Sequence, residues 1–452
     1  MDYISYFKGK KITVMGLGLL GRGLGVVKFL SDCGAELVVT DLKTKEQLAP
    51  SLAELASFKN ISFVLGEHRL QDFRDRDLVI KAAGVPLDSV YVAEARAHDI
   101  PVKMESSLFA SLTPATLIGV TGTRGKSTTT HFIFESLQKY YKKGNVFLGG
   151  NIRGLATLPL IKEAKENDLV VLELDSWQLQ GFGEEKISPH IAVFTNFLSD
   201  HLNYYMRGGH SEAHAMELYF ADKANIFRHQ NKSDYLVVSA EVAHNIVKKY
   251  PLLQSEIITV HPNDLPKDWQ LEIPGEHNRE NIALGAAVLR IVGCTEDEIK
   301  ECAQEFKGVP GRLELVGEKN GVKIYNDTNS TTPEAAVAAL EAVGDTSKKN
   351  IVLIMGGADK QLDMTKLLKL LPDYCRAVVL LSGTGTETVS AEIKESNPQT
   401  IEVGSLSDAV DKAFAVAKVG DVLLFSPAFA SFGLFQNEYD RGDQFNVLIK
   451  KL

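Results

Sequence analysis

At 452 residues the chain is too long for one hydrophobic core, and the usual domain size divides it into about three. Its 44% apolar and 24% charged residues are those of an ordinary water-soluble protein, and a net charge of −9 excludes a nucleic-acid binder, whose phosphate contacts need a basic face. No run of about eighteen apolar residues exists and Met1 to Lys11 is polar, so the expected location is the cytoplasm, with no membrane partner. The four cysteines (Cys33, Cys294, Cys302, Cys375) form no CxxC pair and read as buried thiols of a reducing compartment.

The chain opens with a strand, Lys10 to Met15, followed by Gly16, Gly18 and Gly21 in a GxGxxG arrangement and a helix, Leu24 to Cys33. A second strand, Ala35 to Thr40, ends in Asp41, and strands at Ile61–Leu65 and Leu78–Lys81 complete a Rossmann-like α/β unit over residues 1–112. The glycines allow close approach of a phosphate and the acid suits a ribose. Three readings stand: a tight turn that binds nothing, a nicotinamide cofactor, or the nucleotide-diphosphate part of a substrate, which is favoured.

Past a linker at Ser111–Ala115, an apolar strand runs into Gly119–Thr130, GVTGTRGKSTTT, and then a helix, His131 to Leu137. Gly122 and Gly125 permit a tight turn, Thr123 and Thr128 lie in and after it, and Lys126 and Ser127 suit a triphosphate and its Mg²⁺. The strict P-loop pattern has glycine where this chain has Val120. Phe147–Ile152 reads as an apolar–Gly–Gly–Asn turn containing Asn151. A strand at Asp168–Leu174 carries Glu173 into Asp175, Ser176 and Trp177; another, His190–Thr195, leads to Asn196 and the Asp200–His201 pair. Such strands form a mostly parallel sheet whose ligands gather at the carboxyl ends, where Glu173 suits Mg²⁺.

On the following helix, Glu212 to Phe227, spacing alone leaves Lys223 as a solvated charge. A zinc reading of His210 and His214 fails for want of a third ligand. After a strand at Asp234–Ser239, Asn278 and Asn281 precede an Ala-rich helix, Ile282–Val292, where they suit capping or a nucleotide. This second domain spans residues 113–309.

Residues 310–452 form a third α/β unit. Its strands are expected at Val322–Tyr325, Asn350–Met355, Ala377–Leu381 and Val422–Phe425. Helices are expected at Pro333–Val343, Met364–Leu370, Thr386–Lys394 and Ser407–Val416. Polar clusters follow the strands at Asn326–Thr332, Gly356–Lys360, Ser382–Thr384 and Ser426–Ser431.

TGTRGKS, ELDSWQL, TNFLSDHLNYY, GEHNRENIALGAA, FKGVPGRLE, IYNDT, GGADK and SPAFASFGLFQNEYDRG resemble, in order and spacing, the motifs of the Mur ligases, ATP-dependent enzymes that build the peptide stem of peptidoglycan. The resemblance covers essentially the whole chain. It implies a UDP-binding Rossmann-like domain, a P-loop-type ATPase domain and a Rossmann-like domain that brings the amino acid. The implied reaction activates a carboxylate of UDP-N-acetylmuramoyl-L-alanine as an acyl phosphate, which glutamate then attacks. The implied catalytic residues are Lys126, His201 and Lys223. ATP is assigned to Gly122, Thr123, Gly125, Lys126, Ser127, Thr128, Asn278, Asn281, Arg312 and Asp327. A pair of Mg²⁺ ions is assigned to Ser127, Glu173, His201 and Lys223, the last matching a lysine carbamylated by CO₂. Substrate falls to Gly16, Gly18, Asp41, Asn151, Ser176, Thr331, Lys360 and Ser431, and a monomer is expected.

The chain departs from the family pattern in carrying Arg124 for a usual Asn, Trp177 for Phe and a longer His201–Lys223 interval. In the D-glutamate-adding branch, Asn329 replaces a common Lys and Glu438 a common Phe. Alternatives therefore stand beside D-glutamate ligation: L-glutamate or another amino acid, a folylpolyglutamate-synthetase-like ligase, a nicotinamide oxidoreductase, and a non-catalytic ATP-driven switch.

Overall fold

Short runs of Val, Ile and Leu buried on both faces, separated by helices, form parallel sheets. The computed structural model, which describes residues 2–207, 209–397 and 399–452, contains three of them. In the first, β1 (Lys11–Met15), β2 (Glu36–Asp41), β3 (Ile61–Leu65), β4 (Leu78–Lys81) and β5 (Val102–Lys103) lie in the order β3-β2-β1-β4-β5 with every pairing parallel. The order reverses beside β1, so the glycine turn leaving β1 sits at the switch point where such sheets bind ligands.

The second sheet comprises β6 (Thr116–Thr121), β7 (Val146–Gly150), β8 (Leu169–Glu173), β9 (Ile191–Phe194), β10 (Tyr235–Ser239) and β11 (Glu256–Val260). Its order is β11-β10-β9-β6-β8-β7, again all parallel. The chain end of β6 is flanked by those of β8 and β9, so the residues that follow these three strands converge. Phe147–Ile152, expected as a turn, is largely strand β7. Its two glycines disguise it, yet Gly149 packs against Leu172 and Thr157 where a side chain would not fit.

In the third sheet, β12 (Glu314–Lys319), β13 (Val322–Asn326), β14 (Ile351–Gly356), β15 (Cys375–Leu381), β16 (Thr400–Val403) and β17 (Val422–Phe425) run in the order β12-β13-β17-β14-β15-β16. Only β12 is antiparallel, joined to β13 with a bulge between Leu315 and Gly317. Among the described residues no helix is long and apolar enough to cross a membrane.

Helix starts differ from expectation where polar residues open them. The helix after β6 runs Lys126–Tyr140, beginning within the Ser-Thr-rich stretch, and the Ala-rich helix runs Glu276–Val292, placing Asn278 and Asn281 in its first turns rather than before it. The C-terminal helix Glu438–Lys451, capped by Asn437, carries too few apolar residues to show a periodic stripe. Cys33, Cys302 and Cys375 are buried, and burial pushes the Cys33 thiol up to about 11.

By compactness the chain divides into two units, Met1–Asp264 with Asn281–Ile299, and Leu265–Glu280 with Lys300–Leu452. The first unit holds two sheets on one continuous apolar cluster that includes Val14, Leu30 and Phe109 from the first and Leu158, Leu172 and Phe182 from the second. Polar pins add direction: Glu105 Oε2 accepts the Thr157 and Leu158 N–H groups at 2.8 Å, and Gly154 N donates to Leu20 O at 3.0 Å. Phe109 is fully buried in this cluster. Phe109→Ala is expected to cost about 3–5 kcal/mol and to lower one shared unfolding transition for both sheets, read by urea unfolding with hydrogen exchange; two sheets that open independently would refute the shared core.

Candidate active site

The loop between β6 and the helix Lys126–Tyr140 is built by two glycines with φ of +142° (Gly122) and +80° (Gly125). A Cβ at Gly122 would collide with Thr195 Oγ1, and one at Gly125 with Asn281 Oδ1, so only glycine fits. The chain leaving β9 clasps the loop: Asn196 Oδ1 accepts Arg124 N at 2.8 Å, Asn196 O accepts Thr123 N at 3.0 Å, and Leu198 N donates to Thr123 Oγ1 at 3.0 Å. Gly125 caps the helix without a side-chain acceptor, and Ser127 and Thr128 are buried in its first turn. A long helix beginning this way attracts an anion.

Two lysines meet on one carbonyl. Lys126 Nζ donates to Gly122 O at 3.1 Å and to Thr123 O at 3.0 Å, while Lys223 Nζ donates to the same Gly122 O at 2.7 Å. Lys223, far from being solvated, is 1% exposed and lies over the Tyr219 ring. Burial, reinforced by the Lys126 and Arg124 charges, pushes its ammonium pKa well below the ordinary lysine range, so the amine is readily neutral.

On the neighbouring strand, Glu173 ends β8 in register with Val120, at 2% exposure. Its Oε1 accepts Asn151 Nδ2 at 3.3 Å, whereas Oε2 is buried without a partner. A buried, half-satisfied carboxylate is costly unless a cation completes it. Among the described residues no group of three or more His, Cys, Asp and Glu side chains could cage a metal; His210 and His214 meet edge-on, and His214 pairs with Glu217. The donor set therefore fits Mg²⁺, which keeps few protein ligands and shares phosphate oxygens, and does not fit zinc.

Asp200 and His201 close the same mouth. Despite the cost of burial, Arg124, at 2.7 Å, and His201 hold the Asp200 carboxyl below the usual range. His201 adopts a left-handed backbone, packs at a tilt against Trp177 with ring centroids 5.0 Å apart, and is shifted down by burial and by Lys126 and Lys223. Ser176, 3% exposed, begins the helix Ser176–Glu185 behind an Asp175–Gln178 capping box. Asn281 sits against Gly125 and its carbonyl accepts Thr129 Oγ1 at 3.3 Å.

In the first sheet, Asp41 accepts Gly18 N and Lys43 N, each at 2.8 Å, so the acid shapes the glycine turn around Gly16 and Gly18. Arg22, just past that turn, donates to Asn151 Oδ1 at 2.9 Å.

Asn278, Arg312, Asp327, Thr331, Lys360 and Ser431 belong to the second unit. Asn278 Nδ2 donates to Pro274 O, just before its helix, at 2.7 Å. The loops leaving β13, β14 and β17 converge: Asp327 accepts Ser426 Oγ at 2.8 Å and Leu313 N at 3.0 Å, and Lys360 Nζ donates to Thr331 Oγ1 at 3.0 Å. Ser431 is buried beside them, next to the Ala358–Ala430 bridge. Asn329 reaches back to Pro310 O, and Glu438 opens the C-terminal helix, where its charge favours the helix dipole and faces Arg441.

Residues 10–103 match the MurD-like N-terminal domain of Mur ligases, 120–270 the Mur ligase middle domain and 311–429 the glutamate ligase domain. The chain is 37% identical to a UDP-N-acetylmuramoylalanine--D-glutamate ligase of Roseiflexus sp. strain RS-1, and 34% identical to one of Borreliella burgdorferi, covering 98% of both chains in each case. The chain belongs to the Mur ligase family. The crystal structure of the UDP-N-acetylmuramate-alanine ligase MurC of Thermotoga maritima shares the fold, with a TM-score of 0.61 at 20% identity over 98% of this chain and 99% of that one. Mur ligase membership makes the protein an ATP-dependent amide ligase and displaces the oxidoreductase alternative for the GxGxxG turn.

Arg22 and Arg441 escaped the sequence reading. Arg441 is fully buried, and its guanidinium donates to Thr328 O, Thr328 Oγ1 and Phe429 O, tying the loops after β13 and β17 together. Its sole signal was a charge inside the motif DRG, which looks like surface. Burial pushes Asp327 from 3.8 up to about 7, against the pull of Ser426, Leu313 N–H and Arg312. The folded state thus binds this proton more tightly, and the stability it contributes is fully present below about pH 4 and is lost as pH rises through about 7. Asp327→Asn removes the term. The unfolding free energy of wild type minus that of the variant should fall from pH 4 to pH 7; a difference that rises would reverse the assignment.

Proposed function

We propose that the protein joins D-glutamate to UDP-N-acetylmuramoyl-L-alanine through an acyl phosphate. The convergence of Lys126 and Lys223 on Gly122 O, with the half-satisfied Glu173 at the end of the neighbouring strand, carries the phosphoryl-transfer half of this reading. The names of the full-length relatives supply the acceptor and donor.

A carboxylate is a poor electrophile until one oxygen becomes a leaving group. Transfer of the ATP γ-phosphoryl onto it supplies one; the glutamate nitrogen then adds to the carbonyl carbon and phosphate leaves. Lys126, the helix start and the Gly122–Gly125 turn hold the triphosphate in line and neutralise its charge, as do Thr123 and Thr128 around them. Ser127, Glu173, His201 and carbamylated Lys223 would hold a pair of Mg²⁺ ions, which supply charge neutralisation on the transferring phosphoryl oxygens. For the carbamate, Lys223 gives one proton to solvent, its neutral Nζ bonds the carbon of CO₂ as one C=O π pair moves onto oxygen, and the nitrogen gives a second proton to solvent, turning a buried cation into an anionic oxygen ligand. By likeness to the family, Asn281 in the first unit is assigned to the nucleotide, as are Asn278, Arg312 and Asp327 in the second. Gly16, Gly18 and Asp41 take the uridine diphosphate, Asn151 and Ser176 the muramoyl-alanyl arm, and Thr331, Lys360 and Ser431 the glutamate, with Lys360 on a carboxylate.

The side chain of Asn329 turned to Pro310 O, in a place where D-glutamate ligases often have Lys, keeps L-glutamate as the second reading. ADP and phosphate should appear only with the nucleotide-sugar substrate and D-glutamate both present, and Lys126→Ala should lower kcat by about 10² or more. Turnover with L-glutamate in place of the D-isomer would overturn the stereochemical assignment, and full activity of Lys126→Ala the whole reaction. Protein equilibrated with ¹³C-bicarbonate should show a carbamate carbon resonance that Lys223→Gln lacks; its absence from wild type would remove the carbamate.

A further inference from the structure

The glycine turn after β1 and the acid at the end of β8 are connected by a directional pair of hydrogen bonds. Arg22 Nη1 donates to Asn151 Oδ1 at 2.9 Å, and Asn151 Nδ2 donates to Glu173 Oε1 at 3.3 Å. The Asn151 main chain is fixed independently, since its N–H donates to Glu173 O at 2.7 Å and Gly154 N to Leu20 O at 3.0 Å. Only the amide rotor of Asn151 is left to be set by side chains.

An asparagine amide has a donor end and an acceptor end, and a carboxylate tolerates only the donor. An arginine can only donate, so Arg22 at the oxygen end obliges the NH₂ end to face Glu173. That occupies Oε1 and leaves Oε2, the unpartnered oxygen, for a cation. Arg22 stands at the first position of the helix Arg22–Asp32, where a positive charge opposes the helix dipole. A residue there without a polar task would be unfavourable.

We propose that Arg22 is a positioning residue for the metal site, acting through the orientation of the Asn151 amide and coupling the substrate-binding glycine turn to the Glu173 carboxylate. This rests on the metal reading of Glu173 given above. Charge-assisted bonds at both ends make the relay stiffer than an isolated asparagine, and outer-shell partners of this kind commonly alter metal affinity by about 10–100-fold.

Mn²⁺ binding to the full-length protein, read by loss of the free-ion electron paramagnetic resonance signal, tests it. Asn151→Leu should weaken binding by about 10-fold or more and Arg22→Gln by about fivefold, with Arg22→Lys recovering part of the loss and thermal unfolding of Arg22→Gln close to wild type. The double variant Arg22→Gln/Asn151→Leu should bind no more weakly than Asn151→Leu alone, because both act through one amide. Wild-type affinity in Arg22→Gln, or additive losses in the double variant, would overturn the inference while Glu173→Gln still loses Mn²⁺. If Glu173→Gln binds Mn²⁺ as wild type does, the metal reading fails and this inference with it.

Discussion

One peptide carbonyl, Gly122 O, accepts two ammonium groups, and the rest of the site follows from that crowding. Like charges on Lys126 and Lys223 repel most strongly where water is excluded. The arrangement is relieved by an anion placed between them and by keeping Lys223 neutral. Both conditions suit a triphosphate lying along the loop. The positive φ values of Gly122 and Gly125, the Asn196 clasp and the bare first turn of the following helix turn this local conflict into a binding site.

Around the loop, specificity is divided between rigid supports. The two sheets of the first unit share one apolar cluster, so the glycine turn after β1 and the phosphate loop after β6 are held on a common body. The second unit gathers its own polar loops after β13, β14 and β17, with the buried Arg441 tying those after β13 and β17 together. A buried arginine in that position is tolerable because three oxygens accept its N–H groups and the Glu438 and Asp327 carboxyls favour its charge.

Much of this was legible from residues alone. Glycines that need positive φ, a strand ending in Glu173 and strand–helix alternation are local signals, and they located the loop and the parallel sheets. Lys223 was not legible from spacing, because burial of a lysine on a polar helix depends on what packs over it; only likeness to a family exposed it. Strand β7 was hidden by Gly149 and Gly150, and the start of Glu276–Val292 by its polar first turn. Arg22 and Arg441 were invisible for a similar reason, since each owes its role to a partner distant in sequence.

The return of Asn281–Ile299 to the first unit, after the excursion of Leu265–Glu280 into the second, has a temporal consequence. A ribosome releases the chain from its N-terminus, so both sheets of the first unit emerge before the segment that places Asn281 on Gly125 and packs Gly285 against Phe132. Until that segment arrives, the nascent phosphate loop lacks one wall. The loop's final packing is therefore completed late in synthesis, when the second unit has already begun to emerge.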